Sequence, residues 1–368
     1  MTMPSTTPEN PAEATSGGRA SADGPASADG RAPTEGPAPA DGPVIELRGL
    51  RRDYVVRAPV PGARRRRRQT VRAVDEISLA IAPGEAVGFV GANGAGKSTT
   101  IKMMTGILRP SSGSLRVLGR DPVPERRHLA REIGVVFGQR SQLWWDLPLR
   151  DSYRILGSMH RLTDRRRDER LARLVDGLDL GPFLGRPVRQ LSLGQRMRGE
   201  VAAALLHSPR LVVLDEPTIG LDMVSKEGLR RFLREDRAER GTTLFLTTHD
   251  MNDVERLCER IVVVNSGTVA YDGALESFRQ HLGAPRELIV DLAEPVDMLT
   301  LPGASTTSVS EADGIRHRIR FAGAELTVPT LLSAISSQAD VRDLSLTEPA
   351  IEDLVRQIYT HGARPGRA

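Results

Sequence analysis

The sequence predicts an α/β protein organised around a phosphate-binding loop, and three observations carry that prediction. First, Gly91-Ala92-Asn93-Gly94-Ala95-Gly96-Lys97-Ser98-Thr99 is a complete match to the pattern G-x-x-x-x-G-K-[ST]. Second, this loop stands between an apolar run of strand length, Ala86–Val90, and a helical segment, Lys97–Thr105, closed by Gly106 and Pro110. Third, two further apolar or β-branched runs, Leu211–Leu214 and Thr243–Thr247, end on residues that carry chemistry: Asp215 and Glu216 in one case, His249 in the other.

The loop explains its own composition. Its glycines allow successive N–H groups to turn inward, at the positive end of a helix, towards phosphate oxygens. Lys97 then supplies a compact charge for the β- and γ-phosphates, and the Ser98 hydroxyl is a ligand for Mg²⁺. The chain has 51 Lys and Arg residues, yet Lys97, Lys102 and Lys226 are its only lysines. A lysine at the position where the loop needs a flexible ammonium is therefore informative.

The two carboxylates after Leu214 cannot share a role, because a strand alternates its side chains between faces. Asp215 is placed to reach magnesium through water, and Glu216 to orient or deprotonate the water that attacks the γ-phosphate. Gln139 follows the short apolar run Gly134-Val135-Val136-Phe137 and has an amide able to contact both Mg²⁺ and that water. Alone, a glutamine or a histidine carries little information; the order of Gln139 and His249 after the loop makes them candidates.

The ordered set of phosphate loop, Gln139, Leu191-Ser192-Leu193-Gly194-Gln195, Asp215-Glu216, Gly220-Leu221-Asp222 and His249 resembles the nucleotide-binding domain of ABC transporters, over roughly Val44 to Leu282. The resemblance implies a P-loop ATPase with a mixed core sheet, an antiparallel β subdomain and a helical subdomain at about 140–208. It implies ATP and Mg²⁺ as cofactors, with Ser98, Gln139 and Asp215 on the metal. It makes Ser192, Gly194 and Gln195 the signature motif, Asp222 part of the loop joining two sites, and His249 the switch histidine on the γ-phosphate. Ser192 to Leu206 reads as a helix whose N-terminus offers free N–H donors to an anion. In the family, that anion is the γ-phosphate held by a second ATPase subunit, here expected to be identical.

Two departures are visible. Leu193 stands where the family usually has glycine, with Ser192 and Gly194 retained. Tyr54 stands where the family places an aromatic that stacks on adenine, but an Arg-rich stretch, Ala58–Thr70, then appears as an insertion. The Arg64–Arg68 run within it reads as a solvated loop rather than a lipid or nucleic-acid contact, and no specific nucleic-acid partner is expected.

The chain's 368 residues suit a disordered tail (1–43), one large domain (44–283) and a small α+β domain (284–368). The tail is Pro-, Ala- and Gly-rich, with six Asp or Glu residues against Arg19 and Arg31, and has no secretory pattern. In the last segment Glu287–Leu292 and Ile315–Phe321 read as strands, and Pro329–Ser337 and Pro349–Tyr359 as helices. This unit resembles the extension on ATPase subunits of drug- and antibiotic-exporting ABC systems. Cys258 is the only cysteine, which argues for a reducing compartment and against any disulfide or thiolate metal site.

No stretch reaches the roughly 18 apolar residues of a membrane span. The expectation is thus a peripheral subunit on the cytoplasmic face of the inner membrane, powering export through a separate integral membrane permease. Both tryptophans fall in Ser141-Gln142-Leu143-Trp144-Trp145, just after Gln139, and make a good anchor for that partner. The rival reading, a soluble ABC ATPase of translation or DNA maintenance, would call for a second such domain or a long coiled-coil insertion; neither is present. Import remains the third reading.

Overall fold

Residues buried on both faces of a sheet give continuous apolar runs, and the runs noted above fold as the centre of such a sheet. The computed structural model describes residues 42–59, 66–138, 141–281, 286–303, 307–311, 314–321, 326–348 and 350–361. In chain order, the first part comprises β1 (Ile45–Pro59), β2 (Arg66–Ile81), β3 (Ala86–Gly91), α1 (Lys97–Met104), β4 (Ser112–Val117), α2 (Arg126–Leu129) and β5 (Ile133–Val136). The middle comprises α3 (Leu149–Met159), α4 (Asp164–Gly177), α5 (Leu193–Leu205), β6 (Leu211–Asp215), α6 (Met223–Arg240), β7 (Thr243–Thr247) and α7 (Met251–Leu257). There follow β8 (Arg260–Asn265), β9 (Thr268–Ala274), α8 (Leu275–His281), β10 (Arg286–Leu292), β11 (Thr307–Glu311), β12 (Arg316–Phe321), α9 (Val328–Ser336), β13 (Val341–Thr347) and α10 (Ile351–His361).

The core sheet has the order β5-β6-β7-β3-β8-β9 and is parallel except for β9, which runs antiparallel to β8. Strand alternation divides its side chains between two apolar cores. Val90, Val212, Leu214, Leu246 and Val263 join the core shared with the helices. Phe89, Leu211, Val213, Phe245 and Val264 join the core under the antiparallel sheet β2-β1-β4. This sheet matches the expected mixed core flanked by an antiparallel β layer and a helical region.

The expected Arg64–Arg68 loop is corrected: Arg66–Arg68 is strand, since β2 begins at Arg66 and pairs with β1 from Val55↔Thr70 to Pro59↔Arg66. Backbone hydrogen bonding carries this ribbon, so charged side chains do not prevent it. Arg64 and Arg65 lie outside the described residues, as does the tail apart from Gly42 and Pro43.

The third sheet, β11-β12-β10-β13, is antiparallel and packs Leu288, Val290, Ile319 and Phe321 against Leu331 and Ile335 of α9. The last helix does not stay with it: Ile351, Leu354, Val355 and Ile358 of α10 join the main helical core. Among the described residues no helix is long and apolar enough to cross a membrane.

Candidate functional site

The central strand β3 delivers Gly91 to the end of the core sheet between β7 and β8. The chain then turns tightly, with the Ala95 N–H donating to the Ala92 carbonyl at 3.0 Å. Gly96 has φ 104°, and a Cβ there would stand 2.5 Å from the Ala73 carbonyl oxygen, so only glycine fits. Gly96 is also the N-cap of α1 and has no side chain to cap it, which leaves the first-turn amides facing outward for an anion. Ala92, Asn93, Gly94 and Ser98 are exposed along this rim, and Thr99 is half-buried.

Lys97 lies back across the loop, its Nζ donating to the Gly91 carbonyl at 2.5 Å and the Ala92 carbonyl at 3.3 Å. Burial lowers its pKa, while the charges of Glu216 and Asp215 raise it. The loop lysine and both carboxylates therefore share one electrostatic environment.

Asp215 ends β6 in register with Thr247 on β7, whose hydroxyl donates to Asp215 Oδ1 at 2.6 Å. Glu216 then leaves the strand with φ +56°, the left-handed region that costs a non-glycine residue energy. Its N–H is held by the Thr247 carbonyl at 2.8 Å. The unusual turn points the Glu216 carboxylate to His249, with Nδ1 to Oε2 at 2.8 Å, and to the Thr248 hydroxyl at 3.4 Å. The Glu216 side chain is 23% exposed and that of His249 is 78% exposed, so the pair is anchored on one side and open on the other.

These contacts bring Lys97, Asp215, Glu216 and His249 together. Gln139 lies outside the described residues; its neighbour Gly138 packs against the Asp215 carbonyl, where a Cβ would sit at 3.3 Å. The donor set of Ser98 and Asp215 is all oxygen, which suits magnesium, an ion that completes its shell with water and phosphate oxygens rather than with a protein cage. Among the described residues no group of three His, Cys, Asp or Glu residues could hold a metal alone.

Ser192, Gly194 and Gln195, expected as a signature motif, form a separate cluster. Ser192 is the N-cap of α5, accepting from the Gln195 N–H at 3.1 Å, and Gln195 Oε1 accepts from the Ser192 N–H at 3.1 Å. The Gln195 side chain is thus committed to a capping box. Gly194 lies against the Gly220 carbonyl, where a Cβ would be at 2.7 Å, and Leu193 covers Gly220 itself. Asp222 caps α6, accepting from the Ser225 N–H at 2.8 Å and the Ser225 hydroxyl at 3.1 Å, which lowers its pKa. The hydrogen bonds of Ser192, Gln195 and Asp222 stay within their own helix ends.

Tyr54 is a half-buried strand residue on β1 with the Arg52 guanidinium 4.9 Å from its ring centre. Arg52 also donates to the Arg109 carbonyl at 2.9 Å. Sequence reasoning missed a polar cluster behind Glu216: Thr218, Thr248, Arg230 and the fully buried Asp253. Only the paired hydroxyls of Thr247-Thr248 beside His249 could have signalled it.

A family model described as ABC transporter matches residues 74–219. Over 211 residues the chain is 35% identical to the ABC transporter ATP-binding protein NatA of Bacillus subtilis, spanning 57% of this chain and 85% of that protein. It is 36% identical over 213 residues to the daunorubicin/doxorubicin resistance ATP-binding protein DrrA of Streptomyces peucetius, spanning 58% and 64%. It is 34% identical over 239 residues to the Nod factor export ATP-binding protein I of Cupriavidus metallidurans, spanning 61% and 78%. Among solved structures, a dimeric bacterial ABC transporter cassette matches with a TM-score of 0.53 and 26% identity, over 63% of this chain and 98% of that one. The chain belongs to the ABC transporter family, as one of its ATP-binding, ATP-hydrolysing proteins.

Proposed function

We propose that this ATPase powers export of a small molecule, a drug, antibiotic or organic cation, across the bacterial inner membrane, from the cytoplasmic face and through a separate permease. The named drug-resistance and Nod factor export relatives support that direction of transport. In this reading residues 44–283 are the ATPase unit, residues 284–368 a smaller extension whose last helix, α10, packs back into the core of that unit, and two identical subunits close around two ATP molecules. Ser192, Gly194 and Gln195 of each subunit then offer the open N-terminus of α5 to the γ-phosphate bound by the other.

The observation that carries the hydrolytic assignment is the Glu216–His249 contact at 2.8 Å, beside Asp215 and Lys97. Residues 91–99 cradle the phosphates, with Lys97 on the β- and γ-phosphates. Ser98, Asp215 and Gln139 would hold Mg²⁺, which when bound would supply charge screening for the phosphates. Glu216 orients and deprotonates the water, and His249 steadies Glu216 and contacts the γ-phosphate. Tyr54 stacks on adenine once Arg52 is displaced or stacks beyond it.

Glu216→Gln tests this directly. The variant should bind ATP normally, turn over roughly 10²- to 10⁴-fold more slowly and accumulate as a nucleotide-bound dimer in gel filtration. Near-normal turnover would remove Glu216 from its role. A gene for a six-helix membrane protein beside this one would support export, and one for a substrate-binding protein would overturn it.

A further inference from the structure

Behind the Glu216–His249 pair lies a buried polar cluster that joins three elements. Asp253 on α7 is fully buried; its Oδ1 accepts from Arg230 Nε on α6 at 2.7 Å, and its Oδ2 from the Thr218 hydroxyl at 2.5 Å. The Thr248 hydroxyl stands between two carboxylates at nearly equal distances, 3.4 Å from Glu216 Oε2 and 3.5 Å from Asp253 Oδ2. It also accepts from the Asp250 N–H at 3.0 Å. A hydroxyl has one proton to donate, so Thr248 serves one carboxylate fully only when the other is satisfied elsewhere.

We propose that Thr218 is a positioning residue for ATP hydrolysis: by donating to Asp253 it leaves the Thr248 hydroxyl to Glu216. Thr218 lies in the loop between Glu216 and Asp222, the same loop whose Gly220 is covered by Leu193 of the signature segment. A displacement of that loop pulls Thr218 off Asp253, redirects Thr248 towards Asp253, and withdraws a donor from Glu216. The position of the signature helix is thereby read out at the hydrolytic carboxylate of the same chain.

This inference rests on Glu216 as the hydrolytic carboxylate, which Glu216→Gln tests separately. The experiment compares ATP turnover and nucleotide binding in the full-length chain for Thr218→Val, Thr218→Ser, Asp253→Asn and the Thr218→Val/Asp253→Asn double variant. Thr218→Val keeps the shape and loses the donor; kcat should fall about tenfold or more with KM within about twofold, because a small misplacement near the reacting atoms is costly. Thr218→Ser, which restores the hydroxyl, should recover most of the rate. The double variant should regain part of the rate lost in Thr218→Val, since an amide at 253 no longer competes with Glu216 for the Thr248 proton. A Thr218→Val enzyme with wild-type kcat, a Thr218→Ser enzyme as slow as Thr218→Val, or multiplicative effects in the double variant would each overturn the proposal. If Thr218→Val fails to fold, Thr218→Ala takes its place: a slow alanine enzyme whose rate recovers when Asp253→Asn is added supports the proposal, and one that Asp253→Asn slows further overturns it.

Discussion

Acid should weaken this fold through a pair of stacked histidines. His160, at the end of α3, and His207, just past α5, lie face to face with ring centres 3.8 Å apart and planes within 12°. His207 Nε2 is 3.1 Å from the Ile133 carbonyl, and the Nδ1 atoms of both rings are buried with no hydrogen-bond partner. A helix C-terminus ordinarily favours a histidine cation. Here burial first, then the charge of His160, holds the His207 pKa down at about 3, against the pull of the Ile133 carbonyl. Burial, with Arg131, lowers His160 as well. The unfolded chain takes up protons near pH 6.5 that the folded chain refuses. The stabilising contribution is therefore complete above that pH and is lost as pH falls towards 3. For His207 alone the full loss by pH 3 is about 5 kcal/mol, of which about 2 kcal/mol is gone at pH 5. His207 is half-buried rather than fully buried, which reduces the pH 5 figure to about 1–2 kcal/mol. Urea unfolding at pH 7 and pH 5 reads this out, with His207→Gln as the comparison. The wild type should lose about 1–2 kcal/mol more than the variant between the two pH values. Equal losses in both proteins would refute the reasoning.

Two further outcomes follow from contacts at other positions. Arg170 of α4 and Asp236 of α6 form a two-pronged ion pair that is 5% and 3% exposed, with Arg170 Nε also donating to the Leu205 carbonyl at 3.2 Å. Asp236→Ala strands a buried guanidinium at a cost of roughly 3–5 kcal/mol, so thermal melting should fall by about 10 °C; an unchanged midpoint would mean that Arg170 finds another partner. Trp144 and Trp145 are 36% and 52% exposed, and Trp145 lines a cavity of about 190 Å³ with Phe137, Arg196 and Met197. Replacing both with Ala should leave ATP binding intact and abolish co-purification with the permease; retained assembly would remove the pair from the interface.

What the sequence revealed depended on how each element is held. β3, β6 and β7 are buried on both faces, so their apolar runs stood out, and the phosphate loop, Asp215, Glu216 and His249 could be placed on their ends. β13 is exposed at six of its seven residues, and β11 has Val309 as its one apolar residue, so neither stood out as a strand. The Arg66–Thr70 extension of β2 is paired through its backbone, and charge composition misreads such a strand as loop. The apolar face of α10 was evident, but its burial in the main core rather than beside α9 was not, because an amphipathic stripe does not name its partner. The contacts of Thr218 with Asp253 and of His160 with His207 join positions far apart in sequence, where no local pattern exists.

The Leu193 departure gains its meaning from the same long-range geometry. With glycine at 193 the loop at Gly220 would be uncovered; with leucine, a Cβ on residue 220 would stand 2.5 Å from Leu193 Cδ2. Bulk at 193 and its absence at 220 are therefore complementary. Leu193 is the first residue of α5 and is 43% exposed, so it adds contact over the loop without closing the helix end. Ser192 keeps its cap, and Gly194 keeps its close approach to the Gly220 carbonyl. The substitution thus preserves the amides that would meet a phosphate and tightens the contact between α5 and the 218–222 loop. Because Thr218 in that loop holds Asp253, the contact of Leu193 with Gly220 connects the start of α5 to the hydrogen bonds behind Glu216.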